Sequence, residues 1–245
     1  MKRLLSFLTV LLLLIPTAVD ASGTRVNSID INCQIDQKGT ATFVEKWDMD
    51  VSEGTEGYKI FNGMSDQPLT IVGVTDDRGK TYKNIGTWDS DVSRESKINK
   101  CGLIKDGGHY ELCFGLGDYG TRSYTMTYKI EHFVNQYKDQ QGINDAFISD
   151  MSLDVSNVTI HVNGITPYSK ENAKIWAFGY SGSVNFDNGG VILKTDSLGS
   201  NKMQLLMGLE SNSYTSPNKR HASEKFEDVV KDAKEGSSYS KGMSK

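Results

Sequence analysis

Apolar and polar residues alternate one by one along much of this chain, and a period of two leaves few folds open. Ile29, Ile31, Cys33 and Ile35 are separated by Asp30, Asn32 and Gln34. After Asp36-Gln37-Lys38-Gly39, the residues Ala41, Phe43, Trp47 and Met49 share one face, with Thr42, Lys46 and Asp48 on the other. Successive side chains of a strand point to opposite faces, so this pattern predicts an N-terminal β-hairpin with one face on a core and one in water. The pattern returns from Ser123 to Phe133, where Tyr124, Met126, Tyr128, Ile130 and His132 point one way. It returns again at Val158, Ile160 and Val162, and at Met203, Leu205, Met207 and Leu209. Two further hairpins are expected, one with 69–75 and 81–85 around Asp77-Arg78-Gly79, the other with 175–180 and 191–195 around Asp187-Asn188-Gly189-Gly190. The expected fold is an all-β sandwich, immunoglobulin-like or jelly-roll-like, of about nine or ten strands. An up-and-down barrel is the alternative.

Two segments stand outside the alternation. Lys2 and Arg3, an apolar run from Leu4 to Ile15 and the small-residue stretch ending at Ala21 are arranged as a secretory signal peptide, residues 1–21, with cleavage expected before Ser22. The apolar run is about twelve residues, short of the roughly 20 that a membrane span requires. The β domain then occupies residues 22–209, and 210–245 reads as a polar linker or tail. Within that tail Phe226, Val229, Val230 and Ala233 fall at helical spacing behind Ser223 as a candidate cap, predicting a short amphipathic helix over 223–234.

Export places the mature protein outside the cytoplasm or at the cell surface. Hydrophobic residues make up 37% of the sequence, enough to bury a core, so the chain is expected to fold as a globule. Its formal net charge of −4 becomes one unit more negative when Lys2, Arg3 and Asp20 leave with the leader. That sign repels phosphate backbones and argues against nucleic acid as a partner.

Few residues invite a chemical role. Glu45 occupies the apolar register between Phe43 and Trp47, and the expected role is a buried structural carboxylate bonded to backbone or to a Lys or Arg. The four histidines, at 109, 132, 161 and 221, form no metal-ligand spacing. The pairs Asp48/Asp50, Asp76/Asp77 and Asp89/Asp91 carry oxygen ligands but none continues into a calcium loop. No nucleophile elbow positions a serine for a triad. No catalytic residue, metal or cofactor is therefore assigned. Of the three cysteines, Cys101 and Cys113 are expected to form a disulfide, because a three-residue turn at Asp106-Gly107-Gly108 would set them directly opposite each other. Cys33 would remain a buried thiol.

The segment Tyr110-Glu111-Leu112-Cys113-Phe114-Gly115-Leu116-Gly117-Asp118-Tyr119-Gly120, with 123–130, Phe133-Val134, Tyr137-Lys138-Asp139 and Ala146-Phe147-Ile148, resembles the extracellular N-terminal region of the bacterial membrane proteins grouped as domain of unknown function 2207. Val44-Glu45-Lys46-Trp47 resembles the start of that domain, and Phe226-Glu227-Asp228 to Glu235-Gly236-Ser237 the stretch that leads into the family's membrane segment. The resemblance implies an outward-facing β domain with transmembrane helices after it and no assigned activity. The sequence departs from the pattern at Ala146, where an aromatic residue is frequent, and no apolar run of membrane length precedes Lys245. Membrane attachment is thus expected only through a downstream anchor absent from this chain. The reading as a whole is a non-enzymatic surface domain that binds or interacts with a protein or glycan at the cell surface. The alternatives are a cell-envelope glycan hydrolase, which needs two carboxylates about 5 to 10 Å apart, and a structural stalk.

Overall fold

The computed structural model of the chain describes residues 23–198 and 202–236. The expected leader, residues 1–21, and its cleavage point lie outside them. The described chain is all-β with a little helix. In order it forms β1 (Arg25–Ile35), β2 (Ala41–Val51), β3 (Glu56–Phe61), β4 (Leu69–Asp76), β5 (Lys83–Thr87), the single turn α1 (Arg94–Lys97), β6 (Lys100–Asp106), β7 (His109–Gly115), β8 (Gly120–Ile130), β9 (Asn135–Gln136), β10 (Gln141–Ile148), β11 (Val155–Asn163), β12 (Ala173–Phe178), β13 (Ser183–Asp187), β14 (Gly190–Thr195), β15 (Met203–Leu209) and α2 (Phe226–Gly236).

These strands make three sheets rather than two. A seven-stranded sheet runs β13-β14-β11-β1-β2-β8-β4, and two four-stranded sheets run β12-β15-β10-β9 and β3-β7-β6-β5. The large sheet forms one layer, and the two small ones share the other. Trp47 meets Phe114, Phe61 meets Tyr128, and Phe43 meets Phe147, all edge to face, so one continuous core joins the large sheet to both small ones.

The predicted hairpin of β1 and β2 forms, and its register pairs Ile35 with Ala41 and Ile31 with Glu45. Asp36 builds the turn by accepting from Lys38 N–H (2.8 Å) and Thr40 N–H (3.1 Å), while Gly39 adopts φ +83°, a value that favours glycine. Tyr124, Met126, Tyr128 and Ile130 of β8 all face the core as expected. His132 does not continue the face: at φ +55° it lies past the strand end and is exposed.

Pairing departs from expectation at two hairpins. β4 turns at Asp76-Lys80, but past a single bridge between Thr75 and Thr81 the chain leaves it, and β5 pairs in parallel with β6. β14 pairs with β13, while β12, the expected partner, pairs with β15 in another sheet. At the middle of the large sheet β1 and β11 run parallel, Val26 opposite Val155 through Gln34 opposite Asn163. Parallel neighbours require a long crossover, which no local signal announces.

The described part of the segment after 209, residues 210–236, is not a free linker. Asn218 inserts beside β9, its N–H donating to Val134 O (2.7 Å) and its carbonyl accepting from Gln136 N–H (2.7 Å). The Gln141 side chain donates to Tyr214 O (2.8 Å) and accepts from Tyr214 N–H (3.0 Å). The helix begins at Phe226, three residues later than predicted, because its first N–H donates to the Asp139 carboxylate (2.9 Å) instead of being served by Ser223. Phe226 is buried against Tyr137, Leu206 and Phe178, with Val229, Val230 and Ala233 beside them. Gly208 permits this docking, since a Cβ there would stand 2.6 Å from the Phe226 ring.

Candidate functional site

Where the three sheets meet, β2 and β8 supply the floor, β3 one wall and β10 with residues 149–153 the other. Glu45 points inward from β2 and is fully buried. Its Oε1 accepts from Trp47 Nε1 (2.7 Å) and its Oε2 from Tyr128 OH (2.7 Å), and Lys59 Nζ stands 2.9 to 3.0 Å from both oxygens. Lys59 Nζ also donates to Phe147 O (2.6 Å), tying β3 to β10. Burial, and then the charge of Glu45, hold the Tyr128 hydroxyl well above its ordinary pKa, so it stays protonated and donates. With ion pair and hydrogen bonds both satisfied, Glu45 has no free oxygen with which to work as acid, base or nucleophile.

A cleft opens on each side of this pair. The first, about 230 Å³, lies between the outer edge of β3 and residues 148–153; Trp47, Met49, Leu116, Ile148, Met151 and Leu153 give it an apolar lining. Side chains, not a backbone ladder, span its rim: Tyr58 OH lies 3.2 Å from Ser152 Oγ, and Ser149 Oγ donates to Ile60 O at 3.3 Å. The second, about 370 Å³, lies between β10 and the segment after β3, against an aromatic floor of Phe43, Phe61, Tyr128, Phe133 and Phe147. Asp145 lines it from β10, in the same inward register as Ile143 and Phe147. Its Oδ2 is sealed from solvent with no hydrogen-bond partner among the described residues, and Oδ1 receives one long contact from Gln67 Nε2 (3.5 Å). Burial pushes the Asp145 carboxyl up to about 7, against a smaller lowering by the Arg220 charge.

The expected disulfide is absent. The turn at β6 and β7 holds two residues, Gly107 and Gly108, between the paired Asp106 and His109, with Gly107 at φ +56°. That register sets Cys101 against Phe114 and Cys113 against Gly102, so the two sulfurs leave the sheet on opposite faces. All three cysteines are free and buried. Burial raises the Cys101 thiol to about 11 and the Cys113 thiol to about 12, far from the thiolate that reactivity needs.

Sequence reasoning named Glu45 but missed Lys59 and Asp145. Each carried a signal of the same kind: Lys59 alternates inward with Gly57 and Phe61, and Asp145 with Ile143 and Phe147. Among the described residues, no three His, Cys, Asp or Glu side chains gather as metal ligands. The acidic pairs are engaged elsewhere, Asp50 with Arg25 and Asp77 with Arg122.

Three sheets around a shared core define a β-sandwich domain. More particularly, the family model for the N-terminal domain of predicted membrane proteins, DUF2207, matches residues 25–203, and the chain belongs to that family. No curated protein matches it. Among solved structures, the chain is similar to a candidate protease from Parabacteroides distasonis (10% identity, TM-score 0.43, 76% of this chain and 40% of that one). It is similar also to an M1 zinc metallopeptidase from Deinococcus radiodurans (11%, 0.40, 76% and 42%) and to yeast LTA4 hydrolase (9%, 0.46, 76% and 29%). The chain thus spans well under half of each of those proteins, and a likeness at this level bears on neither activity nor substrate. No helix among the described residues is long and apolar enough to cross a membrane.

Proposed function

We propose that this chain is a non-enzymatic binding module displayed outside the cytoplasm by a membrane-associated protein, and that the apolar cleft beside β3 receives an extended, apolar segment of a protein partner. The observation that carries this reading is the cleft's position. β3 is an edge strand, so one row of its backbone groups has no ladder partner in its own sheet, and an apolar cavity of side-chain size lies directly against that row. Peptides that add to a sheet edge use this combination, main-chain bonds for affinity and a pocket for specificity. The nearby Glu45 carboxylate is consumed by Lys59, which favours binding over chemistry.

Selection of short peptides from a random library against the chain tests the proposal. Selected peptides should bind at least roughly tenfold more weakly to Leu153→Glu and Met151→Trp, which charge and fill the cleft. Peptides indifferent to both changes would refute it. The hydrolase alternative draws on Asp145 and Asp150 in the second cleft; sugar release from cell-wall polysaccharide by the parent chain, lost in Asp145→Asn, would establish it instead. Display outside the cytoplasm is checked by N-terminal sequencing of the exported product, which should begin at Ser22.

A further inference from the structure

We propose that the second cleft is a binding site for an organic ammonium group carried on an apolar stem, with Asp145 as its counter-charge and the aromatic floor as the seat of the stem. Three observations point there, and none draws on the apolar lining of the cleft beside β3, although Ser149 and Asp150 border both clefts. The first is the state of Asp145: a carboxylate facing the sandwich interior that, among the described residues, has no partner on one oxygen and one 3.5 Å contact on the other. Buried polar groups are almost always hydrogen-bonded, and an exception marks a place where a partner is missing. Arg220, whose charge lowers the Asp145 carboxyl, donates elsewhere, to Gly63 O and His221 Nε2, both at 2.9 Å.

The second observation is the room beside it, about 370 Å³ opening onto packed aromatic rings. Those rings are almost wholly buried, Phe133 at 2% and Phe147 at 4% exposure, so little open ring face is left for a sugar to stack on. The third is the sign of the walls, two carboxylates, Asp145 and Asp150, against one ammonium, Lys202. An alkylammonium answers all three: its N–H groups supply the donors Asp145 lacks, its charge matches the walls, and its methylenes cover apolar surface.

The site is tested with n-butylammonium chloride as probe, titrated into the full chain at constant ionic strength and at pH 8, where Asp145 is ionised, and followed by calorimetry and by NMR of the ring resonances. Saturable binding is expected, weakened roughly tenfold or more by Asp145→Asn. Lys202 is exposed, so Lys202→Glu leaves the fold alone and should tighten binding a few-fold. n-Butanol, with the same stem and no charge, should bind at least roughly tenfold more weakly. N-Acetyl-lysine-methylamide separates a lysine side chain from a free amine as the source: equal or tighter binding indicates a peptide, and exclusion indicates a small amine, each consistent with the site. The proposal is overturned if n-butylammonium does not saturate, if Asp145→Asn binds it as well as the parent, or if n-butanol or N-acetylglucosamine binds as tightly.

Discussion

Glu45 and Asp145 are both carboxylates turned toward the same core, one from β2 and the other from β10, yet their surroundings are opposites. Glu45 is wholly enclosed and has an ammonium, an indole and a phenol on its two oxygens. Asp145 is half-buried and has one long amide contact. A charge taken from water costs several kcal/mol unless it is paired and hydrogen-bonded. The first carboxylate is therefore a structural tie between two sheets, and the second is an unresolved cost at the edge of a cleft. Folding alone gives no reason to keep an ionisable group at Asp145. Residues that lower stability in this way accumulate where something else must bind.

The largest effect should come from breaking the satisfied pair on one side. Glu45→Leu leaves the Lys59 ammonium enclosed without a counter-charge, and denaturant melts should show a loss of about 3 to 5 kcal/mol. Adding Lys59→Met should recover most of it, because an apolar pair of similar volume removes the stranded charge. A loss below about 1 kcal/mol for Glu45→Leu alone would mean that Lys59 escapes to solvent and that the tie is weak.

Asp145→Asn should move stability the other way, and only at high pH. The folded protein holds the Asp145 proton up to about 7, whereas the unfolded chain releases it near the ordinary value of 3.8. Between those values the folded state binds more protons, so its stability falls as pH rises through that window. The asparagine variant does not titrate. At pH 8 it should be more stable than the parent by about 2 to 4 kcal/mol, with the advantage gone near pH 4. An advantage that persists at pH 4 would assign it to packing rather than to charge.

Tyr128→Phe keeps the ring stacked on Phe43 at 4.8 Å and removes only the hydroxyl bound to Glu45. A hydrogen bond to a charged acceptor is worth about 1.5 to 3 kcal/mol, and that is the expected loss. Thermal and denaturant melts should agree on it. No measurable change would show that Lys59 and Trp47 alone satisfy Glu45.

Much of the large sheet is legible because its strands are amphipathic: β1, β2 and β8 expose a polar row and bury an apolar one, and that contrast survives in a single sequence. β3 is not legible for the opposite reason. Its inward row is Gly57, Lys59 and Phe61, and an inward lysine becomes sensible only once Glu45 is known to face it from another sheet. Pairing partners were also hidden, since β1 with β11 and β12 with β15 are decided by long-range packing. The polar stretch after 209 packs through backbone bonds at Tyr214 and Asn218, which composition does not record. The half of the site that could be read was Glu45, an acid in an apolar row. Asp145 sits in such a row too, but within Gly142-Ile143-Asn144-Asp145-Ala146 the polar pair masks the period.

The smallest effect distinguishes the two carboxylates most finely. Gln67 is buried, and among the described residues its amide is the one donor to the Asp145 carboxylate, but its contacts to Asp145 Oδ1 and His132 O are 3.5 and 3.4 Å, at the weak limit of such bonds. Gln67→Met preserves volume and removes the amide. If Asp145 is as poorly served as its geometry indicates, the change should cost no more than about 1 kcal/mol, and NMR titration should show the Asp145 carboxyl rising further as its last donor leaves. The same logic applied to Glu45 would predict several times that loss, because there the bonds are 2.7 Å. A loss of about 3 kcal/mol or more in Gln67→Met would show that Gln67 is a full partner in solution. Asp145 would then be a second structural tie like Glu45, and the cleft beside it would lose its claim to a missing cation.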